Sequence, residues 1–417
     1  MLRFPASRLP FHAGAALAAL LMTACTQVNV HGDPKAWVRD QADAPAAAPL
    51  RVATYNTSLY DDADGGLVRR LEAGDGNARK IAAVLQRVRP DVVLLNEFDY
   101  DAPQRAAELF QRDYLEVAQD GGGAALSYPY RYLAPVNTGV PSGLDLDGDG
   151  LAGDAQRGDR ARGNDAWGYG LHPGQYGMLV LSRYPIDAAA VRTFQTFKWS
   201  ALPGARQPRH PDTGKPWYSA AAWPQMRLSS KSHWDVPVRT PLGVVHLLAA
   251  HPTPPVFDGP EDRNGARNHD EIKLWARYLD GGAPAWLCDD QGRCGGLAED
   301  ARFVIVGDMN ADPVDGDGVP GSIKQLLDHP RVDASRVPRS EGAAERAKFY
   351  GFARKGDTAE HTGDFGPKAG TLRLDYALPS RGWSVRGTGV FWPKPGTADA
   401  EISEASDHHL VWVDLAD

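Results

Sequence analysis

Two spacings of apolar residues organise the chain. Leu50–Asn56 (LRVATYN) alternates, with Val52, Thr54 and Asn56 on one face and Ala53 and Tyr55 on the other, so it is predicted to be a strand. Asn77–Val88 follows a helical period: Ile81, Val84, Leu85 and Val88 form one apolar face, Asn77 is placed to cap it, and Arg89-Pro90-Asp91 ends it. Then Val92–Glu97 (VVLLNE) reads as a buried strand. Further strands are predicted at Gly177–Leu181, Gly243–Ala249, Phe303–Val306, Leu372–Leu378 and His409–Leu415, and a helix at Glu261–Ile272 despite Gly265. Strand–helix–strand order implies a layered α/β fold. The segments Pro135–Gly174, Trp199–Trp234, Pro254–Gly296 and Asp312–Gly370 read as loop-rich inserts. Residues 50–417 contain neither a Gly/Ser linker nor an internal repeat, so they are expected to form one domain.

The N-terminus has another character. Arg3 and Arg8 precede the apolar run Ala13–Met22, which is too short to span a bilayer, and the segment closes on LMTAC. Residues 1–24 are therefore expected to be a lipoprotein-type signal peptide and Cys25 a lipid anchor, with residues 25–49, rich in Ala, Pro and Asp, as a flexible tether. Export to the periplasm, the outer membrane or the medium follows as the expected location. In an oxidising compartment Cys288 and Cys294 are placed to pair across CDDQGRC, which leaves only Cys25 of the three cysteines. Loss of residues 1–24 removes two arginines and no acid and moves the formal net charge from −8 to −10. So acidic a surface disfavours tight non-specific binding to nucleic acid, although a metal or a basic patch reverses the field locally.

Polar residues interrupt the ends of the apolar runs: Asn56, Glu97, His251, Asp308, Asn310, Asp375, Asp407 and His408. Singly, each is a turn residue or a structural histidine. Together, they are groups brought to one edge of a sheet. Several carboxylates and amide oxygens suit Mg²⁺, Mn²⁺ or Ca²⁺.

The segments TYN, LLNE, AAHPTPP, VGDMNADP, LRLDYAL and SDHH, from Thr54 to His409, resemble the endonuclease/exonuclease/phosphatase superfamily. The resemblance implies a four-layer α/β/β/α sandwich, two packed β-sheets flanked by helices. It implies a phosphoesterase using Mg²⁺ or Mn²⁺, with Glu97 as leading metal ligand helped by Asn56 and Asp407. By the same resemblance, Asp308 orients or deprotonates water, Asn310 holds a phosphate oxygen or that water, His251 contacts another phosphate oxygen, and His408, oriented by Asp375, steadies the developing charge. The superfamily's tyrosine maps to Tyr176, with Gln175 as the alternative. The implied substrate is a small phosphoester, a phospholipid head group or a nucleic acid, and no protein partner is implied. An extracellular nuclease and a non-catalytic surface protein on the same fold are the competing readings.

Secondary signals lie in the inserts. Asp145, Asp147 and Asp149 in DLDGDG resemble the start of a calcium loop and are candidate structural Ca²⁺ ligands, although position twelve is Gln156. Arg263 and Arg267, four apart on the predicted helix, are candidate phosphate contacts, weighed against a solvated, salt-bridged face. Lys231 and His233 in SSKSHWDVP are further candidates for reaching substrate.

Overall fold

The computed structural model describes residues 49–152 and 159–417. The expected leader, Cys25, nearly all of the tether and Gln156 lie outside them. Two sheets stack face to face. The first has six strands in the order β12 (Ser384–Val390), β13 (Val411–Ala416), β1 (Leu50–Leu59), β2 (Val92–Phe98), β4 (Met178–Ser182) and β3 (Tyr130–Tyr132). The second has five: β11 (Asp375–Pro379), β8 (Arg302–Asp308), β7 (Gly243–Ala250), β6 (His233–Thr240) and β5 (Arg192–Thr193). The pairs β1–β2 and β7–β8 are parallel, and the other neighbours within these sheets are antiparallel. A two-stranded ribbon, β9 (Gly363–Asp364) with β10 (Thr371–Leu372), stands apart from both.

Three apolar layers separate four structural ones. Between the sheets lie Val52, Leu94, Val180, Trp234, Leu247, Val304, Val306 and Ala377. Outside the first sheet, Ala53, Tyr55, Val93 and Leu95 pack against α1 (Gly66–Glu72), α2 (Gly76–Val88) and α3 (Arg105–Leu109). Outside the second sheet, Leu248, Phe303, Ile305 and Tyr376 pack against α4 (Arg263–Leu279). This is the α/β/β/α sandwich. Each buried aliphatic or aromatic side chain in it contributes about 1.5–3 kcal/mol relative to exposure. A one-residue slip of any central strand would exchange its two faces, so burial on both sides fixes the register.

Several boundaries differ from expectation. Asp75, not Asn77, caps α2, because its carboxylate accepts from Ala78 N at 2.7 Å. Leu372–Leu378 is not one strand: Leu372 ends the small ribbon and Asp375 begins β11, while Leu374 O accepts from Met309 N at the turn between them. Within the inserts, β6 opens at His233, α4 runs on to Leu279, and α5 (Glu341–Tyr350) forms a further helix. Cys288 and Cys294 are joined in a disulfide.

One glycine sets the approach of β7 to β8. Gly307 has φ 148°, and a Cβ on it would lie 1.9 Å from the carbonyl oxygen of Ala250. Gly307→Ala is therefore expected to cost more than the about 1–3 kcal/mol of backbone strain alone. Urea unfolding measures this, and a variant as stable as the parent would contradict the packing described.

Candidate active site

The parity of the strands places the site. On β1, Val52 faces the core between the sheets, and so, four residues on, does Asn56. Asn56 is paired across the ladder with Asn96 of β2, which follows Leu94 on the same face. On β8, Val304 and Val306 lead to Asp308, whose ladder partner is Asp375 at the start of β11. His251 directly follows β7, and Asp407 and His408 precede β13. The ends of both sheets thus bring these groups to one rim, and burial of the strands beneath them holds them rigid.

Asp308 is the hub. Its Oδ2 accepts from Asn56 Nδ2 at 3.1 Å and lies 3.5 Å from both His251 Nε2 and His408 Nε2. Its Oδ1 accepts from Asn310 N at 2.9 Å. Asn310 is not positioned by strand alternation, since β8 ends at Asp308. It turns into the left-handed region at φ 49°, held by the Asp308 carboxylate and by its own Nδ2 donating to Pro252 O at 3.1 Å.

Asp375 and His408 form a carboxylate–imidazole pair, with His408 Nδ1 2.7 Å from Asp375 Oδ2. The Thr362 hydroxyl donates to the same oxygen at 2.7 Å and accepts from Asp375 N at 3.0 Å. Burial opposes the charged form of His408, but Asp375 and Asp308 together outweigh it and raise the ring's pKa well above the usual imidazole range. His251 goes the other way: burial first, then Lys231 and His408, hold it well below that range, so it sits neutral. Burial raises the pKa of Asp308, against the pull of His408. One rim therefore holds one cationic and one neutral imidazole on either side of a carboxylate, a set suited to handling a proton.

Glu97 stands beside this hub at φ 54°, with Oε1 4.0 Å from His251 Nε2. Its pKa is raised by burial and by the like charge of Asp407, against His408 and an Asn56 hydrogen bond. Ser58 Oγ donates to Asp407 Oδ1 at 3.2 Å, and Ser406 Oγ donates to Asn56 O at 2.8 Å, tying the SDHH segment to β1. Among the described residues no lysine or arginine pairs with Glu97 or Asp407. Two neighbouring carboxylates and a carboxamide oxygen without a lysine or arginine partner are a fit for a hard divalent cation. Asp308, Asp375 and His408 also bring ligand-type atoms within 4.8 Å of one another. There, however, His408 Nδ1 already faces Asp375, which makes that trio better suited to proton chemistry than to a metal.

Tyr176, at φ 55°, lies half-buried with its ring centroid 4.5 Å from that of Tyr60. Burial, then Tyr60 and Glu97, raise its pKa. Gln175 is spent on the loop: its side chain donates to Asp61 O and Asp62 Oδ1 and accepts from Leu171 N. Tyr176 is thus the member of this pair beside Glu97.

The arginine expectation needs correction. The Arg267 guanidinium is buried and donates to the carbonyls of Leu228, Trp167, Arg227 and Ser229, which leaves it committed to the scaffold. Arg263 pairs with Glu261 and lies over the Trp217 ring. The face of α4 expected to be solvated is buried at Arg267, Asn268, Asp270 and Glu271. His233 is likewise internal, with Nδ1 2.6 Å from Ser229 Oγ and Nε2 2.9 Å from Glu271 O. In the DLDGDG loop, carboxylate oxygens of Asp145, Asp147 and Asp149 lie within 4.8 Å of one another, and each residue accepts from a backbone N–H of the loop.

Two residues at the site were not singled out from sequence. Asn96 accepts from Asp308 N at 3.2 Å and from Thr54 Oγ1 at 3.3 Å, while its Nδ2 is buried without a partner. Its signal was parity, since it stands two residues after Leu94. Thr362 carried no such signal, because it joins the site from the loop before a two-residue strand.

A model of the Endonuclease/Exonuclease/phosphatase family matches residues 53–408. No curated protein matches the chain. Among solved structures, the chain is similar to an endonuclease/exonuclease/phosphatase from Beutenbergia cavernae, at 20% identity over 88% of this chain and 72% of that one, with a TM-score of 0.47. It is similar to sphingomyelinase C from Streptomyces griseocarneus, at 17% identity over 89% and 100% of the two chains, TM-score 0.42. It is also similar to a mannosyl-6-phosphatase from Bacteroides thetaiotaomicron, at 13% identity over 88% and 100%, TM-score 0.40.

Proposed function

We propose, from the premise that this chain belongs to the Endonuclease/Exonuclease/phosphatase family, that its rim site hydrolyses a phosphate ester by direct attack of water. The chain is a metal-dependent phosphoesterase, a hydrolase of ester bonds. The observation carrying the finer reading is the placement of Asp308, with one oxygen 3.5 Å from each of two imidazole Nε2 atoms of opposite charge preference.

In this reading Asp308 takes the proton of the attacking water, with Asn56 and the Asn310 backbone fixing its two oxygens. His408, held by Asp375 and kept protonated, faces the charge that develops on the phosphate. His251, neutral, donates to a phosphate oxygen, and Asn310 presents its carboxamide to the same group. Glu97, Asn56 and Asp407 would hold a divalent cation, Mg²⁺ or Mn²⁺, which supplies charge neutralisation at the phosphate and the leaving oxygen when bound. Tyr176 walls the Glu97 side. The apolar run Ala13–Met22 shortly before Cys25 supports an exported protein tethered to a membrane by lipid. No helix among the described residues is long and apolar enough to cross one.

The test is hydrolysis of bis-p-nitrophenyl phosphate, p-nitrophenyl phosphate and plasmid DNA, each with Mg²⁺, Mn²⁺ or Ca²⁺. Turnover of a small ester that disappears with chelator is expected. Cleavage of the plasmid alone would favour the nuclease reading, and inertness towards all three with every metal would sink the hydrolytic one.

A further inference from the structure

Lys231 is a buried lysine with no acid of its own. It is 6% exposed, yet among the described residues no carboxylate lies within ion-pair distance of Nζ and no group accepts a hydrogen bond from it. Burial lowers the Lys231 pKa, against the pull of Glu271, Glu97 and Asp308, and an ammonium with no partner in the protein is either neutralised or kept for a ligand. The backbone around it is clamped. Ser230 N donates to Glu271 Oε1, Asn137 N donates to Lys231 O at 2.9 Å, and Ser230 Oγ donates to His251 O at 3.3 Å. A Cβ on Gly168 would lie 1.9 Å from Ser230 O, which leaves no slack on that side.

The charges that Lys231 faces are those of the rim. Its field acts on Glu271, Glu97 and Asp308, and it helps keep His251 neutral. Glu271 is already engaged by two backbone N–H groups, from Ser230 and Thr253 at 2.5 and 2.7 Å. Ser230, the residue before Lys231, bonds His251 O, and His233 pairs with Ala250, so Lys231 lies on the His251 side of the site, where Arg267 cannot serve because it is bound to four carbonyls. His408 supplies a cation on the Asp375 side. The His251 side has Lys231.

We propose that Lys231 is the phosphate-binding cation of this site, its Nζ donating to a non-bridging oxygen of the substrate phosphate and of the phosphate product. This rests on the phosphoesterase reading above and adds a substrate-touching residue to it. Lysine in this role is a compact point charge that needs no bidentate geometry, which suits a phosphate free to rotate among its oxygens.

The experiment is calorimetric titration of the full chain with inorganic phosphate, with and without Mg²⁺, for the parent, Lys231→Met and Lys231→Arg. It is joined to thermal melting and to kcat/KM on the p-nitrophenyl esters. Lys231→Met is expected to weaken phosphate binding at least about tenfold in both metal conditions and to lower kcat/KM by about 10²-fold, the scale of one lost oxyanion contact. Its melting temperature should hold or rise, because an unpaired buried charge has gone. Lys231→Arg keeps the charge and should retain more phosphate affinity than the Met variant. Phosphate affinity within twofold of the parent in a folded Met variant, with a lowered melting temperature, would overturn the proposal and make Lys231 a structural counter-charge. Should the Met variant not fold, a folded Arg variant with no measurable phosphate affinity would overturn it equally. Phosphate binding lost with Lys231 in a parent that cleaves no ester would sink the hydrolytic reading and leave this contact standing.

Discussion

Asp308→Asn is expected to lower kcat/KM by about 10²–10⁴-fold, the range for a lost general base, while the metal-free protein melts at the same temperature or higher. The two halves have one cause. Asp308 is buried, with Asp375 opposite it in the ladder, and burial is the largest contribution raising its pKa. A carboxyl whose folded pKa exceeds its unfolded value binds more protons when folded across the interval between them. Stability therefore falls as pH rises through that interval, and the cost is complete above the folded value. The neutral isostere removes this cost and also removes the group that accepts the proton. Melting curves at pH 5 and pH 8 should show the variant's advantage at both, smaller at pH 5, which lies inside the interval, and larger at pH 8. Loss of activity accompanied by a large fall in melting temperature would instead mark Asp308 as a structural tie between β8 and its neighbours.

Glu97→Gln is the second large effect, and it reads the metal directly. The Glu97 carboxylate sits near Asp407 and Asn56 and, among the described residues, no lysine or arginine pairs with it. Replacing it halves the carboxylate count of the proposed cation site and leaves the shape unchanged. Divalent affinity is expected to fall by more than the about 10–100-fold that loss of an outer-shell partner costs, and activity should return in part as Mg²⁺ is raised. Phosphate binding by the metal-free protein should hardly change, because Lys231 and His408 remain. An unchanged Mg²⁺ titration would move the cation elsewhere on the rim, with the Asp308–Asp375–His408 trio the next place to look.

Where sequence reading of the site worked, one face of a strand carried both the core and the chemistry. Val52 to Asn56, and Val304 through Val306 to Asp308, keep a two-residue period from buried apolar positions to the polar rim, so placement follows from burial. Asn96 obeys the same rule beside Glu97, and the charge of its neighbour drew attention away from it. Where reading failed, a tertiary partner decided. Asn310 owes its place to a left-handed turn held by the Asp308 side chain, which no alternation reveals. Arg267 has the spacing of an anion clamp, but the carbonyls that claim it belong to Trp167 and to residues 227–229, distant in sequence. LRLDYAL has the apolar pattern of one strand, yet Thr362 takes the N–H groups of Leu374 and Asp375 and stands where the ladder would begin. Strand β12 (SVRGTGV) is partly exposed at a sheet edge and carries two glycines, so its composition does not distinguish it from loop.

The tie from Ser406 to Asn56 spans 350 residues and joins the first strand of the sandwich to the segment entering its last. At about 5–20 residues per second of synthesis, roughly 20–70 s separate the appearance of Asn56 from that of Asp407 and His408. Throughout that interval the growing polypeptide has Glu97 and, later, Asp308, but lacks the imidazole and the second carboxylate that complete the set. On the proposed roles, the hydrolytic set is complete only when β13 closes beside β1. Any fragment that ends before β13, from stalled synthesis or proteolysis, is expected to carry most of the fold's mass and no hydrolytic activity.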